Sequence, residues 1–214
     1  MAFNPVITEL TTAATDIAIA LVSLACVALL NRYRSGHRRR VVIWSWVFGL
    51  LALASLLGAL AHGLDLAATT RSWLWRPLYL SLGLVVALFV AGAVFDFKGE
   101  RAARISLLPM LGLGLGFFMT TQIASDSFLI FVAYEAVAML AALCMYIVLA
   151  LKRQLDGANI IAAGILLNIV AAVIQASGAV SVTIVVPFDH NGVFHFVQIV
   201  ALVTLTRGLA KSMS

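Results

Sequence analysis

The 214-residue chain has few charged side chains, since Asp, Glu, Lys and Arg together make up only 11% of it. Hydrophobic residues make up 63%, which is more apolar surface than a soluble domain of this length can bury. This balance excludes an ordinary soluble domain and predicts a chain that is dissolved largely in lipid. Long loops are lacking as well, because seven spans of about 20 residues use roughly two-thirds of the chain. A functional site must therefore lie between the helices.

Two other features are missing, namely paired cysteines and a basic leader. Cys26 and Cys144 each lie inside an apolar stretch, and no Cys-x-x-Cys or zinc-finger spacing occurs. Buried free thiols are therefore expected rather than a disulfide. Residues 1–10 contain Glu9 but no Lys or Arg. Because a cleaved secretory signal begins with basic residues, we expect the first apolar run to be retained as a span.

Seven apolar runs are present, and polar residues separate them. Each run is long enough to cross a hydrocarbon core of about 30 Å as a helix, the form in which backbone groups pair within lipid. The sequence predicts an all-α, polytopic membrane protein with seven short-looped transmembrane helices in one domain, residues 1–214. In the fourth run Gly112, Gly114 and Gly116 lower helix propensity but permit close helix packing. The predicted spans are residues 13–31, 41–61, 77–95, 105–123, 128–151, 158–180 and 192–209.

The basic residues are distributed unevenly between the two sets of loops. The positive-inside rule places the richer set in the cytoplasm, which predicts an outer N-terminus and a cytoplasmic C-terminus in a bacterial plasma (inner) membrane. The net charge of +5 then favours anionic membrane lipids as partners rather than nucleic acid. On the outer side lie only Arg71 and Arg76, with Trp73 and Trp75 suited to an interfacial aromatic belt. The twelve inner basic residues are Arg32, Arg34, Arg38, Arg39, Arg40, Lys98, Arg101, Arg104, Lys152, Arg153, Arg207 and Lys211.

Polar residues inside a membrane are costly, so their positions carry most of the functional information. In the predicted topology His62 ends the second helix on the outer side, and His190 and His195 begin the seventh there. Asn191, His195 and Gln198 are spaced at i, i+4 and i+7, which is one helix face. We expect these groups to line a wet pocket near the outer leaflet. Further lining residues are expected at Asp16, Ser55, Tyr79, Glu135 and Gln175, with Asp65, Asp126 and Asp189 at the rim.

Three histidines at one depth suit more than one kind of site. Neutral imidazoles bind Zn²⁺, and three protein ligands leave a position for an activated water. In that interpretation His62, His190 and His195 are the metal ligands, while Asp65 or Asp189 orients an imidazole or assists proton transfer. Alternatively, histidines at helix ends are ordinary interfacial residues that water reaches, or two of them hold a b-type haem. Retinal is not expected, because its Schiff base needs a buried lysine and the three lysines lie at the cytoplasmic edge.

The remaining acids have simpler interpretations. Asp16 and Glu135, inside their spans, are either functional groups or hydrogen-bonded packing devices. The other three acids lie at the basic cytoplasmic edge, where pairing with Lys98, Arg101, Lys152 or Arg153 is expected; they are Asp96, Glu100 and Asp156.

This layout resembles the seven-helix superfamily that contains the alkaline ceramidases, the adiponectin and progestin receptors and their bacterial relatives. Those proteins have a zinc-binding His late in the second helix and a His-x-x-x-His pair on the seventh. The matching positions are His62, in Gly58-Ala-Leu-Ala-His-Gly, and His195, in Asp-His-Asn-Gly-Val-Phe-His-Phe. The chain departs from the pattern at Gly58, where the family has Ser, and on the seventh helix, where Asn191 stands four residues before His195 and His190 stands five before it.

The resemblance implies a zinc-dependent hydrolase of lipid metabolism that acts on a lipid amide or ester arriving from the outer side. The residues alone leave two other functions open. One is a non-catalytic sensor, receptor or accessory subunit that binds a small molecule or lipid. The other is an electron-transfer subunit with haem between His62 and His195.

Overall fold

The computed structural model describes residues 2–123 and 127–214, so Asp126 lies outside the described residues. Seven helices in the described part are long and apolar enough to cross a membrane. This result confirms the all-α class and the seven-helix prediction. The elements are α1 (Ile7–Asn31), α2 (Arg34–Gly63), α3 (Ala68–Lys98), α4 (Glu100–Thr121), α5 (Ser127–Leu151), α6 (Ala158–Ser177), β1 (Val182–Thr183), β2 (Pro187–Phe188) and α7 (His190–Lys211).

Several helices extend beyond the apolar runs that predict them. α1 begins at Ile7 rather than at residue 13, because its first turns are polar but still helical. α3 begins at Ala68, and Pro77, predicted to start the span, lies inside the helix. The hydroxyl of Ser81 donates to the Pro77 carbonyl at 2.8 Å, which supports the backbone near the proline. α2 is interrupted near its start at His37, where φ is −129° and ψ is 38°.

Six helices form a closed ring and the seventh lies outside it. Following the contacts, α1 packs on α2, α2 on α3, α3 on α5, α5 on α6, α6 on α7 and α7 on α1. α4 packs mainly on α3 and more lightly on α5. The outer surface of the bundle is apolar on every side, as lipid contact requires. Large exposed side chains on it include Leu21, Leu53, Leu108, Val137, Leu166 and Val200.

One glycine sets the distance between α4 and the ring. A Cβ built on Gly114 would lie 2.7 Å from the carbonyl oxygen of Gly83 on α3, so the two backbones touch at this point. Gly112 and Gly116 have no heavy atom within 4 Å of such a Cβ. Close packing through small residues, predicted for the three glycines together, is therefore made by Gly114 alone.

The end of the ring at which α1 finishes and α2 begins is packed solid. Leu30, Val41, Trp44, Tyr146 and Leu209 have no exposed surface there. The hydrophobic core thus fills one half of the ring and leaves the other half for a cavity.

A buried ion pair lies at the solid end. Arg40 Nε is 2.6 Å from Asp96 Oδ1, and a second guanidinium nitrogen donates to Asp96 Oδ2 at 2.7 Å. The hydroxyl of Tyr146 donates to the same oxygen at 2.7 Å, and Arg40 also donates to the carbonyl of Ser212 at 3.1 Å. The expected pairing of Asp96 with a neighbour such as Lys98 is therefore wrong. Arg40 on α2 faces inward and pairs with Asp96 on α3, because these two helices are adjacent.

Candidate functional site

The open half of the ring contains a cavity of about 420 Å³. Its described lining comes from α1, α2, α3, α5, α6 and α7, and no described residue of α4 contributes. Polar lining residues gather where α1, α3, α5 and α7 begin and where α2 and α6 end. Apolar side chains form the deeper walls, among them Phe48, Leu51, Val86, Met139 and Leu202. The cavity is therefore polar at one end and apolar at the other.

Threonines of α1 hold α7 at the polar end. The hydroxyl of Thr15 lies 2.7 Å from His195 Nδ1 and also donates to a carbonyl of its own helix, at 2.9 Å. A hydroxyl that donates to the backbone accepts from the ring, which places the hydrogen of a neutral imidazole on Nδ1. His195 Nε2 then carries the lone pair, and it lies 3.5 Å from Asp16 Oδ1. This histidine is only 7% exposed.

Gly58 makes room for the buried carboxyl group of Asp16. A Cβ at Gly58 would lie 2.8 Å from Asp16 Oδ2 and 3.1 Å from its Cγ. A side chain at this position would collide with the carboxyl group of Asp16, which is 6% exposed.

The N-terminal segment closes over the end of α2. The side-chain amide of Asn4 donates to the carbonyl of His62 at 3.0 Å. Glu9 Oε2 lies 2.7 Å from His62 Nδ1. The ring of His62 also meets the ring of Trp75 edge-on, with centroids 5.6 Å apart, and Trp75 stacks on Tyr79. His62 is therefore held by a carboxylate on one side and by an aromatic wall on the other.

Two further hydrogen bonds cross the cavity wall on the other side of the ring. The amide of Asn168 on α6 donates to Glu135 Oε1 at 3.1 Å. The amide of Gln175, also on α6, donates to Asn191 Oδ1 at 3.3 Å. These bonds connect α6 to α5 and α7 but leave Glu135 Oε2 free of any described partner.

Ser55 and Gln198 are among the polar lining residues whose side chains make no hydrogen bond to any residue that the structure describes. Ser55 is 6% exposed and Gln198 is 9% exposed, and both line the cavity. A buried hydroxyl or amide without a partner is unfavourable unless something in the cavity satisfies it. Water or a bound molecule with polar atoms can make these hydrogen bonds inside the cavity.

The structure separates the predicted site residues into two groups. Asp65 is exposed, and Asp189 caps α7, where its Oδ1 accepts from the backbone of Asn191 and Gly192, both at 3.0 Å. Neither acid is among the described lining residues, so the structure does not support their assignment as catalytic groups. The predicted residues that line the cavity are His62, His190, His195, Asp16, Ser55, Tyr79, Glu135, Gln175, Asn191 and Gln198.

Several residues of the polar end were not predicted as part of the site. Among them, Thr15 and Glu9 bind histidines, Asn168 binds Glu135, and Trp75 lines the cavity. One signal was available for Asn168, which lies seven residues before Gln175 and so shares its helix face. The others depend on which helices are neighbours.

The three predicted zinc ligands are not gathered into one cluster in the described structure, and the zinc centre stays a prediction. Catalytic zinc takes three protein ligands. Across residues 2–123 and 127–214, no group of three or more His, Cys, Asp or Glu is arranged to hold a metal ion. His195 and Asp16 make a pair only, and His62 Nδ1 is engaged by Glu9.

The ring of apolar helices around a polar-ended cavity defines the class, a helical multi-pass membrane protein with an internal cavity. The chain belongs to a family of unknown function (DUF6962), whose model matches residues 11–214. No curated protein and no solved structure matches the chain.

Proposed function

We propose that this protein binds a small amphipathic molecule in the cavity and acts without catalysis, as a membrane sensor, receptor or accessory subunit. The observation that carries the proposal is the burial of Ser55 and Gln198 on the cavity wall without described partners. A bound molecule with polar atoms at that end satisfies both groups. Its apolar part contacts the deeper walls.

The dimensions of the cavity support a small ligand. Its volume of about 420 Å³ falls within the roughly 300–1,000 Å³ of known small-molecule sites. Such sites are mostly apolar and use a few polar groups to orient the ligand. The cavity has this composition, with aliphatic and aromatic walls and its amides, imidazoles and carboxyl groups at one end.

The proposed orientation places the polar end of the cavity outside, with the N-terminus, in a plasma membrane. The support is the distribution of basic residues, which the positive-inside rule assigns to the cytoplasm. The ligand then arrives from the outer side. Reporter enzymes that are active only outside or only inside, fused after Ser214, test this directly. Activity of the external reporter would contradict the orientation without affecting the cavity.

The alternative functions are a zinc-dependent lipid hydrolase and a haem protein. Metal analysis and an absorption spectrum of the purified protein distinguish them. Stoichiometric zinc that is lost in His195→Ala would favour the hydrolase. A Soret band would favour the electron-transfer subunit. The resemblance to the ceramidase superfamily stays a prediction, as does the hydrolase activity that it implies.

Filling the cavity tests ligand binding. Ala54 and Ala201 are buried and line it from α2 and α7, whereas Ala141 is exposed on the outer face of α5. Wild-type protein in lipid nanodiscs is expected to bind radiolabelled octanol saturably, above the background of empty nanodiscs. Ala54→Leu and Ala201→Leu are expected to abolish the saturable part, and Ala141→Leu is expected to retain it. Circular dichroism checks that each variant remains helical.

Saturable binding that survives both cavity substitutions would show that octanol binds elsewhere. That outcome would remove the cavity as the binding site.

A further inference from the structure

The described cavity lining contains two acidic side chains and three histidines, but no Lys or Arg. Asp16 contributes a carboxyl group from α1 and Glu135 one from α5. The groups that can give the cavity a negative charge are therefore two acids on different helices.

Neither acid has a strong partner within the described protein. His195 Nε2 is 3.5 Å from Asp16 Oδ1, beyond the roughly 2.7–3.2 Å of a hydrogen bond. Glu135 accepts one bond, from the neutral amide of Asn168. Ionisable groups in membrane spans are costly when unpaired and commonly mark ligand or ion pathways.

The third acid of the bundle interior shows how this chain pairs a carboxylate when it is structural. Asp96 at the solid end receives the guanidinium of Arg40 and the hydroxyl of Tyr146. That site is filled by protein on every side. The two cavity acids differ, because the space in front of them is open.

An aromatic wall stands at the same end of the cavity. Trp75 and Tyr79 stack with ring centroids 5.6 Å apart, and both line the cavity. Aromatic faces attract cations, and Trp does so most strongly. Carboxyl groups beside aromatic faces are the combination that recognises organic ammonium groups.

We propose that the cavity binds an organic amine with one positive charge and an apolar tail. The ammonium group lies at the polar end, where Asp16 and Glu135 neutralise it and Trp75 and Tyr79 contact it. The tail occupies the apolar end, against side chains such as Met139 and Leu202. The inference rests on the proposed function and adds the charge of the ligand to it.

Other ligand classes fit the chemistry less well. A fatty acid or a phosphate ester would meet two acids, and no Lys or Arg is among the described lining residues. A neutral alcohol would satisfy Ser55 and Gln198 but leave the carboxyl groups without a counter-charge.

Four probes with the same tail and different head groups test the charge. Octylamine, octanol, octanoate and octyl phosphate are measured by saturable binding to protein in nanodiscs of neutral lipid. Wild-type protein is expected to bind octylamine about tenfold or more tightly than octanol. Asp16→Asn and Glu135→Gln are each expected to weaken octylamine binding about tenfold, the loss that follows removal of a hydrogen bond to a charged group. Octanol binding is expected to remain within about twofold of the wild-type value.

Glu100→Gln provides the matched control. This carboxylate begins α4 at the opposite end and pairs with Arg39 and Arg104 on the surface. Its removal is expected to leave the affinity for all four probes unchanged.

Each result has one meaning. Equal binding of octylamine and octanol would overturn the amine proposal while the binding cavity stands. Tighter binding of octanoate or octyl phosphate would also overturn it, and would point to an anionic ligand. Absence of saturable binding for all four probes would overturn both the amine proposal and the proposed function.

Discussion

Removing the carboxylate of Asp96 is expected to destabilise the fold strongly. The side chains of Arg40 and Asp96 are only 6% and 2% exposed, and they make two close contacts of 2.6 and 2.7 Å. Asp96→Ala leaves the guanidinium of Arg40 buried with only the carbonyl of Ser212 as a described acceptor. Breaking one side of such a pair costs about 3–5 kcal/mol of unfolding free energy. Tyr146→Phe removes a single bond to the charged group and is expected to cost about 1.5–3 kcal/mol.

The double variant Arg40→Met/Asp96→Leu tests whether the loss of stability in Asp96→Ala arises from the unpaired charge of Arg40. It removes both charges and fills the space with apolar side chains, so it is expected to recover most of the stability lost in Asp96→Ala. The assay is equilibrium unfolding in mixed detergent micelles, followed by far-ultraviolet circular dichroism.

A matched surface variant serves as the control, and either of two results would refute the reasoning. Glu100→Gln removes a carboxylate from an exposed pair, and no measurable loss is expected because water screens it. The reasoning is refuted if Asp96→Ala is as stable as the wild type. It is also refuted if the double variant is no more stable than Asp96→Ala, because the loss would then not arise from an unpaired charge.

Three further substitutions test the packing and the polar end by the same unfolding assay. Gly114→Ala places a Cβ 2.7 Å from the carbonyl oxygen of Gly83, so it is expected to cost about 1–3 kcal/mol. The new Cβ of Gly112→Ala meets nothing within 4 Å, so this variant is expected to stabilise α4 by up to about 1 kcal/mol. If Gly114→Ala and Gly112→Ala changed the unfolding free energy in the same direction, the close approach at Gly114 would be contradicted. Thr15→Val keeps the shape of the side chain but removes the 2.7 Å hydrogen bond to His195, so it is expected to cost about 1 kcal/mol of unfolding free energy. The Nδ1 resonance of His195 in nitrogen NMR is expected to shift. An unchanged resonance would show that the bond is not made.

The helices were predictable from the sequence, because lipid solvation imposes long apolar runs. Their ends were less predictable. Polar first turns such as that of α1 carry no hydropathy signal, and Pro77 indicates a helix start as readily as a helix interior. The ion pair of Asp96 with Arg40 was missed because nearness along the chain favoured Lys98 and Arg101.

The depth of the candidate site and the helix faces that contribute to it were predictable from the sequence. Counting spans and applying helical periodicity brought His62, His195 and Gln198 to one end, where the cavity lies. Pairwise contacts were not predictable, because periodicity does not give the rotation of one helix against its neighbour. The contact between Gly58 and Asp16 is an example, since it requires α1 and α2 to be adjacent and turned toward each other.

The position of α4 outside the ring gives it a role in chain insertion. It supplies none of the described cavity wall, yet it is one crossing in an alternating series. A chain without it would thread α5, α6 and α7 in the reverse sense. Glu135 and His195 would then arrive at the end opposite Asp16 and His62, and the halves of the polar end would be separated by the thickness of the bundle. α4 therefore sets the direction in which the following helices cross, while the face around Gly114 packs against α3.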